Sequence, residues 1–330
     1  DVYKRQRYFL ANCCAEDRTV ADYFSCGVKD APGKRASWRD AEDGELIGSP
    51  IAWGSAESTV GVRMSLPAGG MRTAFHWLAA GKRYEDVADL SRSVVEQTPA
   101  ALIDRTSKYW QAWVGKEART FGDLRKSVAD IFNRCLLVLR SQVVNRGAII
   151  AANDSDIVRF GGDTYSYMWG RDGAFVAAAL EKAGYPELCR RFFDFCSRVL
   201  AKDGYLFQHY NPDGSLASNW HPWLLDGEDV LPIQEDSTAL LLWALWIHYD
   251  CTKDIEFIRP LYAKFILKCA DFLVAFRDPE TLLPHPSYDL WEERHGVHTY
   301  TVAAVVSGLR GAANFARVFR ESTRAELYDS

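Results

Sequence analysis

A mainly α fold, with antiparallel β structure confined to the front of the chain, follows from three features of the 330-residue sequence. The apolar period changes from two to about 3.6 near residue 85, which marks a passage from strands to helices. Beyond that point the predicted helices are joined alternately by short turns and by long loops. The helices that follow the long loops start near 172, 237 and 299, so a unit of about 60 to 65 residues recurs, the scale of stacked helical hairpins.

Taken in order, residues 1–84 read as the C-terminal part of a β-sandwich domain. The stretch "STVGVRMSL" (58–66) alternates apolar and polar side chains, "MRTAFHWLA" follows Gly69 and Gly70, and "DAEDGEL" (40–46) has the composition of a turn. Residues 85–118 read as a helical linker broken near Pro99. Residues 119–330 read as the first half of a helical barrel. Its first helix, over 122–145, places Leu124, Val128, Ile131, Phe132, Cys135 and Leu139 on one face. Further helices are predicted at about 173–183, 186–201, 237–250, 255–276 and 299–319. Pro186 suits a first helical position once Gly184 has ended the preceding helix. Antiparallel hairpins put the long loops, at 146–171, 202–236 and 277–298, at one end, the usual home of a binding or catalytic site. Hairpins stacked in this way build an (α/α)6 toroid, of which about half is predicted here.

Composition narrows the function. Apolar residues make up 48% of the chain, enough for a sizeable core. The net charge is -5 and no Lys/Arg cluster interleaves with aromatics, which argues against nucleic acid as a partner. No apolar run approaches ~18 residues, so no membrane partner is expected. The opening "DVYKRQRYFLANCC" has no long apolar core of a signal peptide, and a cytoplasmic location is expected. It also lacks an initiator methionine, so the true N-terminus is expected to be missing. The eight cysteines form no C-x-x-C pair and read as buried thiols in a reducing compartment. His209 and His221 lack metal-ligand spacing to any other His or Cys, and no cofactor is expected. Eleven tryptophans and fifteen tyrosines suit stacking on sugar rings as well as core packing.

The long loops carry the chemistry. The first ends in "GGDTYSYMWGRDG" (161–173), with Arg171 and Asp172 at a helix start behind Tyr165, Tyr167 and Trp169. Asp172 there is either a helix cap paired with Arg171, or half of a pair that grips vicinal hydroxyls, Arg donating and Asp accepting. The second loop brings Glu228, Glu235 and Asp236 ahead of a helix, where the dipole favours acids. Its Trp220, His221 and Trp223 either line a cleft or pack the loop. The third delivers "YDLWEERHG" (288–296), in which Glu292 and Glu293 follow Trp291. In an extended segment neighbouring side chains point to opposite faces. They therefore cannot form the acid/base pair of an inverting glycosidase, whose carboxyls stand roughly 6.5–9.5 Å apart. Adjacent glutamates instead divide labour, one donating a proton and the other binding substrate. A solvated pair bridged to Arg294 is the bland alternative, weakened by Trp291, Tyr288 and His298 at the same loop end.

Four segments in this order, "YSYMWGRDG", "KAGYPELCRRFFDF", "LPIQEDSTALLLWAL" and "YDLWEERHG", resemble glycoside hydrolase family fifteen in its prokaryotic two-domain form. That family includes glucoamylases, glucodextranases and some trehalases. The resemblance covers roughly residues 150–320, and "DAEDGEL" with "YWQAW" (109–113) looks like the end of that type's β-sandwich and its linker. It implies an exo-acting, inverting α-glucoside hydrolase that releases glucose from the non-reducing end of α-glucans, with an oligosaccharide or polysaccharide α-glucoside as partner. Trehalase or glucodextranase activity, and a non-catalytic carbohydrate-binding or regulatory protein on the same scaffold, are the alternatives. By position, the resemblance makes Glu292 the general acid and Glu293 a substrate contact. Arg171 and Asp172 would hold the terminal glucosyl unit, Tyr165 and Trp169 would flank it, and Trp291 opens the W-E-E tripeptide beside it. The family's catalytic base lies later in the barrel and no residue here matches it. The chain therefore reads as a fragment, with the base beyond Ser330, and residues 1–330 alone are expected to be inactive.

Overall fold

The computed structural model describes residues 7–16, 21, 23–29, 36–117, 119–153, 164–218, 223–225 and 227–330. The chain divides into two compact units, Asp1–Trp113 and Val114–Ser330.

In the first unit, β1 (Tyr8–Ala15) pairs antiparallel with β4 (Ala74–Gly81), Tyr8 opposite Gly81 and Ala15 opposite Ala74. β2 (Tyr23–Val28) pairs antiparallel with β3 (Ala56–Gly61). Among the described residues the strands of this unit form two antiparallel two-stranded ribbons. The turn expected at 40–46 follows a short helix, α1 (Ser37–Asp40), and is held by Asp40, whose Oδ2 accepts the Ile47 N–H at 3.0 Å. The break expected near Pro99 falls between α2 (Tyr84–Gln97) and α3 (Pro99–Val114). Thr98 takes a left-handed φ of 68° there, and Pro99 opens the new helix, where a missing N–H costs nothing. Trp77 Nε1 donates to Ser91 Oγ at 3.1 Å and ties β4 to α2.

The second unit is helical. It comprises α4 (Lys126–Gln142), α5 (Gly170–Lys182), α6 (Pro186–Val199), α7 (Glu235–Thr252), α8 (Ile255–Leu261), α9 (Leu267–Ala275), α10 (Thr299–Val318) and α11 (Ser322–Asp329). The starts of α5, α7 and α10 are 65 and 64 residues apart, which bears out the recurring unit. These three lie side by side with α7 in the middle. The central place suits the sequence of α7, which is apolar all round and buried on every side from Glu235 to Leu242. By contrast α6 is amphipathic and buries Leu188, Cys189, Phe192, Phe193, Phe195 and Cys196 along one stripe. The close approach of α10 to α7 depends on Gly308, where a Cβ would stand 2.5 Å from the Ala239 carbonyl oxygen. At the end away from the long loops, His248 Nδ1 meets Glu181 Oε2 at 2.6 Å, joining α7 to α5 in the core.

Two helical expectations change. The run 255–276 is not one helix: Pro260 lies inside α8, and a π turn, Tyr262–Ile266, separates α8 from α9. Proline lacks the N–H that continues the ladder and crowds the carbonyl four residues back, so the chain absorbs an extra residue just past it. The face predicted apolar on α4 is not buried. Only Leu136 is covered, while Leu124, Val128, Ile131 and Cys135 are exposed, α5 being the described helix that packs against α4. Among the described residues no helix is long and apolar enough to cross a membrane.

Candidate active site

The loops before α5 and α7 and the loop before α10 bring their polar residues to the same end of the helical unit. At the start of α5, Trp169 is the residue before the first turn and no side chain caps the helix. Asp172 is therefore not the cap that one reading of the sequence allowed. It instead faces Arg171, whose Nε lies 3.4 Å from Asp172 Oδ2. The Arg171 guanidinium also crosses to α7, with Nη1 2.9 Å from Gln234 Oε1 and 3.3 Å from Asp236 Oδ2. Asp172 stays partly open while Asp236 is buried. One cation thus holds an inner and an outer carboxylate, and the outer one is placed to accept from a ligand.

Gln234 links this pair to Glu292. It is fully buried, accepts from Arg171, and donates from Nε2 to the Asp289 carbonyl at 3.1 Å and to Glu292 Oε1 at 3.4 Å. Gln208, also buried, donates a second amide N–H to Glu292 Oε1. Two donors on Oε1 favour its carbonyl character, so a proton on this carboxyl belongs on Oε2. The stretch around Glu292 is not extended as expected. Between β5 (Ser287–Tyr288) and β6 (His295–Gly296) it folds into a turn, the Glu292 N–H donating to the Asp289 carbonyl at 3.0 Å. Glu292 itself takes a left-handed φ of 59°, a strained setting for a residue with a Cβ. The turn turns Glu292 inward to 8% exposure and leaves Glu293 outside, where no ion pair joins it to Arg294.

The aromatic residues divide. Trp169 is buried, and His209 stacks on it at 4.8 Å with Tyr167 also 4.8 Å from that imidazole. Tyr165, half exposed, leans against Trp169 at 6.0 Å. Trp291 is 75% exposed. Trp220 and His221 lie outside the described residues. Trp223 is buried edge-on to Tyr288 at 5.7 Å and helps to line a cavity of about 280 Å³ with Val230, Ile233 and His295.

Burial dominates the electrostatics. It pushes Asp236 up from the ordinary carboxylate range, with Arg171 opposing, and it pushes the Glu235 carboxyl up to about 9, helped by the charge of Asp236. Tyr300, in the first turn of α10, is pushed up to about 12 by burial and then by Asp236, while Arg171 pulls the other way. Gln208, Gln234 and Tyr300 were not singled out in the sequence. An uncharged amide obeys no spacing rule, and the signal open to reading was the position of Gln234 directly before a helix start. Among the described residues, no group of three or more His, Cys, Asp or Glu side chains could hold a metal ion.

Helical hairpins with this arrangement of loops form a recognisable class. A bacterial glucoamylase solved in complex with acarbose shares the fold at a TM-score of 0.63 and 18% identity, covering 98% of this chain and 43% of that one. The class is mainly α, the (α/α)6 toroid. The sequence model of glycosyl hydrolases family 15 matches residues 136–330, more than half of the chain, and the chain belongs to that family. It is 26% identical over 330 aligned residues to an uncharacterized glycosyl hydrolase of Methanocaldococcus jannaschii, covering 95% of this chain and 48% of the relative. Trehalase 2 of Sulfolobus acidocaldarius is 27% identical over 195 residues, 53% of this chain and 33% of the relative. Glucoamylase 1 of Rhizopus oryzae is 31% identical over 122 residues, 37% of this chain and 18% of the relative. The chain thus spans about half the length of the first of these relatives and less of the others.

Proposed function

We propose that the protein is an exo-acting, inverting α-glucoside hydrolase that releases glucose from the non-reducing end of α-glucans. The observation that carries this reading is Glu292, a buried carboxyl held by two amides, one of which is itself held by Arg171. Glu292 donates the proton to the leaving oxygen. Burial favours the neutral form that a general acid must keep near neutral pH. Arg171 and Asp172 hold the hydroxyls of the terminal sugar, with Tyr165 presenting an open aromatic edge and Trp169 backing it from within. Glu293, outside the turn, and Trp291, exposed beside it, are placed for the part of the substrate beyond the cleaved bond. A second carboxylate must activate water on the opposite face of the ring, and no residue of this chain is assigned that role.

Cleavage of trehalose is the second reading, favoured by the similarity to Trehalase 2, since a grip on one terminal glucosyl unit serves both reactions. The full-length enzyme should be assayed on maltose, starch, trehalose and dextran, with the anomer of the released glucose followed by NMR. Fastest release from maltose and starch, as the inverted anomer, is expected. Preference for trehalose would move the assignment to the second reading, and no release from any of the four would overturn both. Glu292→Gln should lower kcat by about 10²–10⁴-fold with little change in KM.

A further inference from the structure

Glu235 has no part in the chemistry above, and its setting is unusual. It is the first residue of α7, flanked by Gln234, which holds Glu292, and by Asp236, which holds Arg171. Its relative exposure is zero, and among the described residues neither carboxyl oxygen has a hydrogen-bond partner. Ser237 Oγ, two residues on, is also buried and does not reach it. A buried carboxylate with no donor and no cation is among the costliest groups a core can hold, whereas the neutral acid costs far less.

The charges nearby sharpen the point. From α7 itself, Asp236 is the one charged group among the described residues that acts on Glu235 directly. From α5, Arg171 and Asp172 act on Asp236, and from the first turn of α10 Tyr300 faces the same pair. Among the described residues of this cluster Arg171 is the cation that faces both Asp172 and Asp236. A second negative charge at 235 would repel Asp236, the inner carboxylate that anchors this guanidinium, and through it disturb the bond of Arg171 to Gln234.

We propose that Glu235 is a positioning residue that acts through its charge state: as the neutral acid it leaves Arg171 to Gln234 and Asp236, and on ionisation it releases that grip and sets the alkaline limit of sugar binding. The proposal rests on the reading of Arg171 as a sugar-holding residue. Burial and the neighbouring charge agree with it, pushing the Glu235 carboxyl from 4.5 up to about 9. The raised value means that unfolding releases this proton. The contribution of this group to stability is therefore greatest below pH 4.5, falls as pH rises from there to about 9, and changes no further above that.

The test uses the full-length enzyme and its Glu235→Gln variant, whose amide stands in for the neutral acid. KM and kcat for maltose are measured from pH 7 to 10, melting temperature from pH 4.5 to 9.5, and the infrared carbonyl stretch of protonated carboxyls across the same range. Between pH 8 and 10 the wild-type KM should rise by about fivefold or more while that of Glu235→Gln moves less than about twofold. The variant's melting temperature should be higher at pH 8 and depend less on pH. The wild type should show a protonated-carboxyl band that disappears near pH 9 and is missing from the variant. Coincident KM profiles, a large rise in KM for Glu235→Gln at pH 7, or no such band at pH 7 would each overturn the proposal. If the wild type cleaves no glucoside, the assigned activity fails, while the infrared and melting measurements still decide whether Glu235 is the neutral acid.

Discussion

Glu292 and Glu293 are neighbours in sequence and opposites in environment, and a single backbone choice separates them. The left-handed φ at Glu292 closes the turn on Asp289, whose Oδ1 then takes the Glu293 and Arg294 N–H groups at 2.9 and 3.3 Å. Those donors hold the Asp289 carboxyl below the usual range against the opposing effect of its partial burial. Asp289 is thus the residue that shapes the turn, and Asp289→Ala should lower kcat by disordering Glu292, with a smaller effect on melting temperature. At Asp172, a role in sugar binding predicts that Asp172→Asn changes melting temperature modestly, since no cap is lost, but lowers kcat/KM by about 10²-fold. A large drop in melting temperature with kcat/KM retained would make Asp172 structural. Gln234 accepts from Arg171 and donates to Glu292, so Gln234→Leu severs both links. It should lower kcat and raise KM together, whereas the loss of an isolated contact would move only one.

At the scale of elements, the site exists because three helices start together. α5, α7 and α10 present their N-terminal turns at one end, and α7 can lie between the other two only if the contacts with its backbone stay small. Gly308→Val adds a branched side chain where even a Cβ meets the Ala239 carbonyl. It should destabilise the helical unit by about 1–3 kcal/mol or more, as overpacking does. Because Ala239 lies one turn after Glu235, the same variant should also lower kcat/KM. Denaturant unfolding and kinetics on one preparation check both, and an unchanged midpoint would show that the α7–α10 contact yields readily.

For the whole molecule, the described residues of this loop cluster offer acids, amides and aromatics, with Arg171 already engaged by Asp172 and Asp236. Such a site suits a neutral ligand rich in hydroxyls better than an anion. Glycoside hydrolysis by two carboxyl groups calls for no metal, so chelation of the full-length enzyme should leave its activity intact. Loss of activity that only a transition metal restores would contradict that expectation. Cys189, Cys196 and Cys269 are fully buried, with thiols pushed up by desolvation, so mild alkylation should spare them, whereas Cys135 and Cys251, against the expectation of buried thiols, are exposed and should react.

By itself the sequence determined the helices, the recurring unit and the ordered motifs, because periodicity and turn residues are local properties that survive without coordinates. It also singled out Arg171 and Asp172, charged residues at a helix start, and Glu292 in the W-E-E tripeptide, with their roles implied by the resemblance of the ordered motifs. What it could not contain was the partner of each. The Arg171–Gln234–Glu292 chain joins residues 63 and 58 positions apart, and the Gln208–Glu292 contact spans 84. Amides carry no charge pattern, and such contacts arise only when packed helices bring three loops together. The break at Pro260 was written in the sequence as a proline, yet its form as a π turn, with Tyr262 stacked on Phe319 at 4.0 Å, depended on the neighbouring hairpin. Burial decided the rest, because the same side chain lies exposed at Glu293 and, in the core at Glu235, has its carboxyl pushed up to about 9 by lost hydration.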